Sequence, residues 1–390
     1  MNNKLRIAII GTVGVPASYG GFETLAHHLV NQLNNKFELT VFCSSKHYKK
    51  ERRLSKWNGA DLKFIPLKAN GVQSIIYDII SMIWALFTSD VMLVLGVSGA
   101  LFIPVLKLIS NKKIIVNIDG QEWKRDKWNK YAKWFLKFSE GIAVKYADEI
   151  VADNQAILNL AEKLYGRQCS LIAYGANHVL KVKKMPADLK TYPFLGGDYA
   201  FSVCRIEPEN NVEMTLQAYT KLPNKTLVFV GNWQNSEYGK QLFETYSAYE
   251  NIYLLNPIYQ QAHLDLLRSN CTLYLHGHSA GGTNPSLIEA MYLGLPVMAF
   301  NVCYNIESTL GKAIFYSSAN ELVYHIKTKD KVDLKRTAKR LEIIAHSRYT
   351  WEFISKKYAE LFENKQAQTS STKVIDMKPN YSQKQVAAQK

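Results

Sequence analysis

At 390 residues and 47% hydrophobic content, the chain is long enough for two domains of ordinary size, each with its own core, and its composition is globular rather than disordered. Its 48 Lys and Arg against 33 Asp and Glu give a formal net charge of +15, which favours anionic partners without choosing among nucleic acid, anionic lipid and phosphorylated small molecules. Cys43, Cys169, Cys204, Cys271 and Cys303 show no C-x-x-C spacing and mostly lie in apolar runs, which reads as small buried hydrophobes in a reducing compartment and argues against a zinc site.

The opening residues "MNNKLRIAIIGTVGVPASYGG" have a basic start, but their apolar run is too short for a signal peptide and is broken by Gly11 and Gly14. Strands are predicted at 5–11, 37–43, 62–67, 91–96, 113–119, 148–153 and 170–175, alternating with helical patterns such as 22–34, 74–87 and 128–147. Residues 72–88 contain Asp78 and read as a core or interfacial helix. The apolar stretch 91–109 is punctuated by Gly96, Gly99 and Pro104, as a buried strand, turn and helix would be and a membrane span would not. A polar stretch at 181–198 with two prolines and a glycine pair reads as a linker, after which strands resume at 199–205, 226–231, 252–256, 271–277, 296–300 and 313–316. The pattern predicts an α/β protein of two doubly wound, Rossmann-like domains facing a cleft: a first over 1–182 and a second over 195–346. An amphipathic helix at 347–363 crosses back to the first domain, and 364–390, with five lysines against one aspartate, is expected to be disordered. The expected location is cytoplasmic.

In open α/β sheets ligands bind beyond the carboxyl ends of the strands, so the informative residues should follow each strand. After the first comes "GTVGVPASYGGFETL", whose Gly20 and Gly21 immediately precede a helix and would let a substrate approach the backbone. The glycine spacing is G-x-x-G rather than the dinucleotide G-x-G-x-x-G, and the second strand ends in Cys43-Ser44-Ser45 without an acid for a ribose, which weakens a NAD-dependent oxidoreductase reading. The loop is long, as suits a flexible cover over an acceptor; a connection without a role is the plainer alternative.

The second domain holds "HGHSAGGTNPSLIEAMYLGLPVMAF" (276–300). Gly281 and Gly282 free backbone amides, Pro285 suits a first helical turn, and Ser286-x-x-Glu289 has the spacing of a capping box. A helix start beside a glycine pair is an anion site without a basic side chain, and diphosphate is its natural guest. Glu289 then has two competing jobs, helix cap or acceptor of hydrogen bonds from ribose hydroxyls.

The pattern Gly-Gly-Thr-Asn-Pro-Ser-Leu-Ile-Glu-Ala-Met-x-x-Gly-Leu-Pro-Val resembles the donor-site signature of retaining glycosyltransferases of the GT-B fold, family four. The resemblance implies a pair of acids bracketing donor sugar and ribose; Glu289 matches the second, and Gly281 stands where the first would be. Gly282, Thr283, Asn284 and Ser286 are candidate donor contacts, and His278 is either a contact to the donor sugar or a satisfied loop histidine. "CRIEPENNVEMTL" (204–216) resembles the family's phosphate-binding segment, with Arg205 matching its arginine and Asn210 in place of its lysine. "IGTVGVPASYGGFETL" with "DGQEWKRDKW" (119–128) resembles the bacterial rhamnosyltransferase subgroup of cell-wall and capsular polysaccharide synthesis. The implied activity is transfer of L-rhamnose from dTDP-rhamnose to a lipid-diphosphate-linked sugar, with a UDP- or GDP-hexose as the alternative donor. Neither metal nor cofactor is expected: Arg205, the amides near Gly282 and Thr283 and the helix dipole would meet the leaving-group charge, and there is no D-x-D triplet.

A base for the acceptor hydroxyl should come from the first domain, where Asp119, Glu122, Asp153 and Tyr174 stand near strand ends. Each aspartate could instead be a helix cap, and Tyr174 a core aromatic. Gly20, Gly21, Glu23 and Glu122 are candidate acceptor contacts. Finally, 123–138 packs six basic and six aromatic residues into sixteen positions, which fits an interfacial helix on an anionic membrane or a solvated basic face over core aromatics. No RNA-binding signature accompanies it.

Overall fold

A computed structural model describes residues 4–17, 20–120, 122–125 and 128–364, so the tail expected to be disordered lies, Asn364 apart, outside the described residues. The first sheet contains β1 (Arg6–Ile10), β2 (Glu38–Ser44), β3 (Lys56–Trp57), β4 (Ala60–Ile65), β5 (Val91–Leu95), β6 (Lys113–Asn117), β7 (Glu149–Ala152) and β8 (Ser170–Leu171). Their order is β3-β4-β2-β1-β5-β6-β7-β8, parallel except for the short β3, which pairs antiparallel with β4. The second sheet contains β9 (Tyr199–Val203), β10 (Thr226–Val230), β11 (Ile252–Leu255), β12 (Leu273–His276), β13 (Val297–Phe300) and β14 (Ile314–Tyr316), all parallel, in the order β11-β10-β9-β12-β13-β14. These are the two doubly wound Rossmann-like sheets of the GT-B fold. In each, the order reverses beside the first strand, placing switch points between β1 and β5 and between β9 and β12.

The strands read as continuous apolar runs because both faces of each sheet are covered. In β1, Ile7 and Ile9 enter the core beneath helices Gly21–Leu33 and Trp351–Glu363, while Ala8 and Ile10 enter the core on the opposite face. On that opposite face Tyr77 and Met82, Ile103 and Leu106, and Ala143 and Val144 bring helices Gln73–Thr88, Ile103–Ile109 and Lys130–Tyr146 against the sheet. The outward side of this layer is unusual. The one acidic or basic residue of Gln73–Thr88, Asp78, is buried, and beyond Gln73 at its start the exposed positions, Ile76, Ile80, Ile83, Trp84 and Phe87, are all apolar. Val105, Leu108 and Ile109 continue that surface on the next helix, and Tyr131, Trp134 and Phe138 on the one after. No helix among the described residues is long and apolar enough to cross a membrane.

Two expected elements differ. The 181–198 stretch is not a free linker: it forms helix Pro186–Thr191 and a 3-10 turn Pro193–Gly196 whose Phe194 packs on Tyr199 and Tyr253 at 5.3 and 5.0 Å. The last helix begins at Trp351 rather than 347, because Ser347 and Arg348 finish the preceding helix Lys331–Arg348 and Thr350 caps the next through Phe353 N–H. That final helix packs on the first sheet, with Tyr358 Oη accepting from Asn117 Nδ2 at 3.0 Å and Phe362 edge-on to Phe37.

Candidate active site

The carboxyl ends of β9 and β12 deliver Arg205 and His278 to one switch point, and those of β6 and β7 deliver Asp119 and Asp153 from the facing domain. The two sets meet on glycine. A Cβ on Gly120 would run into the main chain of Gly281 and Gly282, and one on Gly282 would run into the Asp153 carboxylate. Gly120 was not singled out from the sequence, although a glycine right after a strand-end aspartate was the available signal.

Around this contact the polar groups are specifically engaged. Asp153 is buried; its Oδ2 accepts from Thr283 N–H at 3.1 Å and its main-chain oxygen accepts from Thr283 Oγ1 at 2.5 Å, while Oδ1 has no hydrogen-bond partner among the described residues. Thr283 N–H is therefore taken by Asp153 in this conformation rather than turned free toward a diphosphate. Asp153 is not a helix cap: that role belongs to Asn154, whose side chain accepts from Ala156 N–H at 2.9 Å. Asp119 caps no helix among the described residues, and holds a left-handed φ of 54° with its N–H donating to Asn117 Oδ1. Burial, and for Asp153 the nearby Asp119, push both carboxyls up, Asp153 well above the usual aspartate range. Arg125 opposes the rise at Asp119. It was missed in the sequence and links the domains, 2.9 Å from Glu122 and 3.8 Å from Glu209.

Arg205 keeps 44% of its side chain exposed, with Glu207 at 4.0 Å. Asn210 does not replace the second cation expected by resemblance; it is buried and donates to the Arg205 carbonyl at 2.7 Å, bracing the phosphate segment. His278 stacks on His276 with centroids 4.4 Å apart. Burial drops His276 to about 3, and burial, His276, Arg205 and Arg125 together hold His278 well below the usual histidine value. Both rings are neutral at physiological pH.

The capping reading of Glu289 is overturned. Helix Pro285–Tyr292 is capped at Asn284 with proline at its first position, so Ser286 lies inside the helix and its hydroxyl donates to Asn284 Oδ1 at 3.0 Å. Glu289 falls too late to reach the cap. Its carboxylate instead sits 2.5 Å from Arg268 Nη1 and 3.2 Å from His178 Nε2. Burial works against its charge, but Arg268 and His178 hold its pKa below the ordinary value. Gly281 has φ +119° and open space beyond its Cα, so the position of the family's first acid is here a backbone turn that a side chain would strain.

On the first-domain side the glycine loop is tied down rather than loose over its described residues 11–17. Val13 N–H and Thr12 Oγ1 donate to Glu23 at 2.8 and 3.3 Å, and Tyr77 Oη donates to the Thr12 carbonyl at 3.0 Å. Glu23 thus braces the loop, and its carboxylate fills the space a Cβ on Gly20 would need. Gly21 faces the Tyr174 hydroxyl, and Tyr174 is buried, in keeping with the core-aromatic alternative. Glu122 is engaged by Arg125 and by Trp128 Nε1–H at 3.1 Å. The structure therefore gathers Asp119, Asp153, Arg205, His278, Gly281, Gly282 and Thr283 at the closed cleft. Glu289 lies beside it, while Glu23 and Tyr174 sit under the first loop.

A fold of two parallel α/β sheets whose strand carboxyl ends face one cleft is the GT-B architecture. Residues 192–333 match the family described as "Glycosyl transferases group 1", and residues 4–177 match "Domain of unknown function (DUF1972)". The chain thus has the GT-B fold, and its second domain matches the group 1 glycosyl transferases. Similar solved structures include sucrose-phosphate synthase from Thermosynechococcus elongatus, 14% identical with a TM-score of 0.77 over 92% of this chain and 98% of that one. Anabaena HepE in complex with UDP is 15% identical, TM-score 0.68, covering 92% of this chain and 99% of that one. An E. coli trehalose-6-phosphate structure bound with UDP-2-fluoro glucose is 11% identical, TM-score 0.67, covering 92% and 98%. At such identities these likenesses carry the fold alone. No curated protein matches in sequence.

Proposed function

We propose that the protein is a retaining glycosyltransferase that moves L-rhamnose from dTDP-rhamnose to a lipid-diphosphate-linked sugar at the inner face of the cell membrane, in cell-wall or capsular polysaccharide synthesis. The observation that carries the transfer reading is the convergence of Arg205, Gly281–Gly282 and the start of helix Pro285–Tyr292 at the carboxyl ends of β9 and β12, opposite the acids of the first domain. When the bond between the anomeric carbon and the diphosphate breaks, negative charge grows on the leaving phosphate while the sugar becomes oxocarbenium-like. The Arg205 guanidinium, the loop amides and the helix N-terminus offset that charge. Thr283 N–H joins them once Asp153 lets it go.

The acceptor proton has two destinations, a donor phosphate oxygen and the Asp119–Asp153 pair. Of the two acids Asp119 is the better base, because Arg125 favours its ionised form while burial and the neighbouring Asp119 push the Asp153 carboxyl well up. Asp153 then braces the donor loop. The donor nucleotide rests on the rhamnosyltransferase resemblance. The UDP complexes among similar structures favour the second reading, a UDP-hexose donor. An oxidoreductase reading finds no support, since β2 ends on Ser44, whose hydroxyl donates to the Leu67 carbonyl.

Membrane attachment draws support from the uncharged outward side of Gln73–Thr88, its continuation over Leu108 and Ile109, and the exposed Trp134 and Phe138 beside Lys130, Lys133 and Lys137. Apolar and aromatic residues rimmed by lysines fit an anionic lipid surface. A thermal-shift series with dTDP-, UDP- and GDP-sugars tests the donor, with stabilisation of about 2.7 kcal/mol expected at a hundredfold excess over Kd. Arg205→Ala should abolish most of that shift and of transfer. Indifference of the wild type to all three nucleotide sugars rejects the reading.

A further inference from the structure

The main chain passes between the two sheets twice, outward through Ala176–Lys181 and back at Tyr349–Trp351. The passages are bonded to each other: Ala176 N–H donates to the Tyr349 carbonyl and Trp351 N–H to Asn177 Oδ1, both at 2.7 Å. Gly175 has no room for a side chain because the Trp351 indole fills that space. His178 lies in this crossing. Its Nδ1 accepts the indole N–H of Trp351 at 3.1 Å. An indole nitrogen only donates, so Nδ1 is bare and the ring proton of the neutral histidine sits on Nε2. Nε2 faces Glu289 Oε1 at 3.2 Å. Trp351 in turn stacks on His28 of helix Gly21–Leu33, with centroids 4.2 Å apart and planes 12° from parallel. One connected line therefore runs from Glu289 in the second domain, through the hinge, to the first domain.

We infer that His178 is a positioning residue that sets the Glu289 carboxylate for the nucleoside of the donor and ties its orientation to the hinge. The inference rests on the donor reading above. Arg268 occupies one oxygen of Glu289 and His178 the other, which fixes rotation about the carboxylate bond. A carboxylate oxygen accepts more than one hydrogen bond, so each keeps capacity for a hydroxyl donor. Without His178 the carboxylate remains paired with Arg268 but is free to turn. Trp351 selects the tautomer that makes His178 a donor toward Glu289, so a change in the angle between domains reaches the donor site through this ring.

The test is titration calorimetry of the full chain with UDP, dTDP and GDP, the tightest then used with His178→Ala, His178→Gln, Trp351→Phe and Glu289→Ala, alongside thermal unfolding and donor-dependent kinetics. His178→Ala should weaken nucleotide binding roughly tenfold or more, the loss expected for one hydrogen bond to a charged group. It should raise the donor KM more than it lowers kcat. His178→Gln, which keeps an N–H within reach of Glu289, should recover most of the affinity, and Trp351→Phe should fall between. Wild-type affinity in His178→Ala, or equal loss in the Ala and Gln variants, overturns the positioning role. If Glu289→Ala also binds like the wild type, the donor reading itself fails; if it loses binding while His178→Ala does not, only the inference about His178 fails.

Discussion

Glu289 is the position where an activity assay alone would mislead, because its carboxylate is the nearest counter-ion of an arginine buried inside the second domain. Arg268 has 1% of its side chain exposed, with Glu289 at 2.5 Å and Asp265 further off at 3.9 Å. Glu289→Ala leaves that buried cation with only the more distant Asp265 carboxylate of the two. Breaking a buried pair by removing one member costs about 3–5 kcal/mol. For a domain of 150–250 residues each kcal/mol moves the midpoint by about 2–4 °C, so the second domain should melt roughly 6–20 °C lower. The folded pKa of Glu289 lies below its unfolded value. Its stabilisation is therefore present above the unfolded carboxylate value and lost as pH falls through the folded one, so variant and wild type should converge in acid. Calorimetric scans at pH 7 and in mild acid check both statements. Arg268→Met combined with Glu289→Gln removes both charges and should recover most of the midpoint. A single Glu289→Ala melting within about 2 °C of the wild type at pH 7 would refute the reasoning, since no buried pair of this kind is so inexpensive to break.

Gly120→Ala places a methyl group against the main chain of Gly281–Gly282 and should hold the domains apart. A misplacement of about 1 Å can cost on the order of a hundredfold, so kcat should drop at least tenfold with nucleotide affinity little changed; equal kcat contradicts the closed contact. Asp78 is buried and its carboxyl is pushed up to about 8 by desolvation, with Gly99 N–H donating to Oδ2 at 3.2 Å. The native state then keeps a proton the unfolded chain releases, and stability falls as pH rises from the ordinary aspartate value to about 8. Asp78→Asn should flatten that slope by about 1.4 kcal/mol per pH unit, measured by urea unfolding at pH 5, 6 and 7; parallel slopes count against it. Transfer should run at the wild-type rate in EDTA, since the leaving-group charge is met by Arg205, amides and a helix end, and restoration only by Mg²⁺ or Mn²⁺ contradicts that account.

How much of this was legible in the chain depends on how far the physical cause lies from the residue. Strands such as β1 and β5 announce themselves because burial on both faces demands an unbroken apolar run, and both are buried nearly throughout. The two-residue β3 carries no such demand, and it lies unread between β2 and β4. The helix Pro186–Thr191 hid in a polar stretch because it packs through only a few residues, with Phe194 and Leu195 of the next turn doing the burying. Gly281 and Gly282 after β12 lie against Gly120 and Asp153 of the first domain, since close backbone approach is a local requirement that glycine alone meets, whereas Gly20 and Gly21 lie against Glu23 and Tyr174.

The reading of Glu289 shows where local reasoning stops. Ser286-x-x-Glu289 has the spacing of a capping box, but Pro285 fits the first helical position and fixes the cap one residue earlier, at Asn284. The serine is then already helical, and the glutamate lies about half a turn too deep to reach back. Freed from the cap, a buried carboxylate has to find a cation, and the available partners come from helix Gln261–Ser269 and from the hinge, neither related to it by any sequence interval. Arg268 and His178 could have been suspected only by asking which basic residue an apolar helix in a charged protein would need nearby. That question arises once the cap is ruled out, and the proline that rules it out was in plain view. Local punctuation thus fixed the start of the helix, the start denied Glu289 its cap, and the denial joined its carboxylate to Arg268 and the hinge.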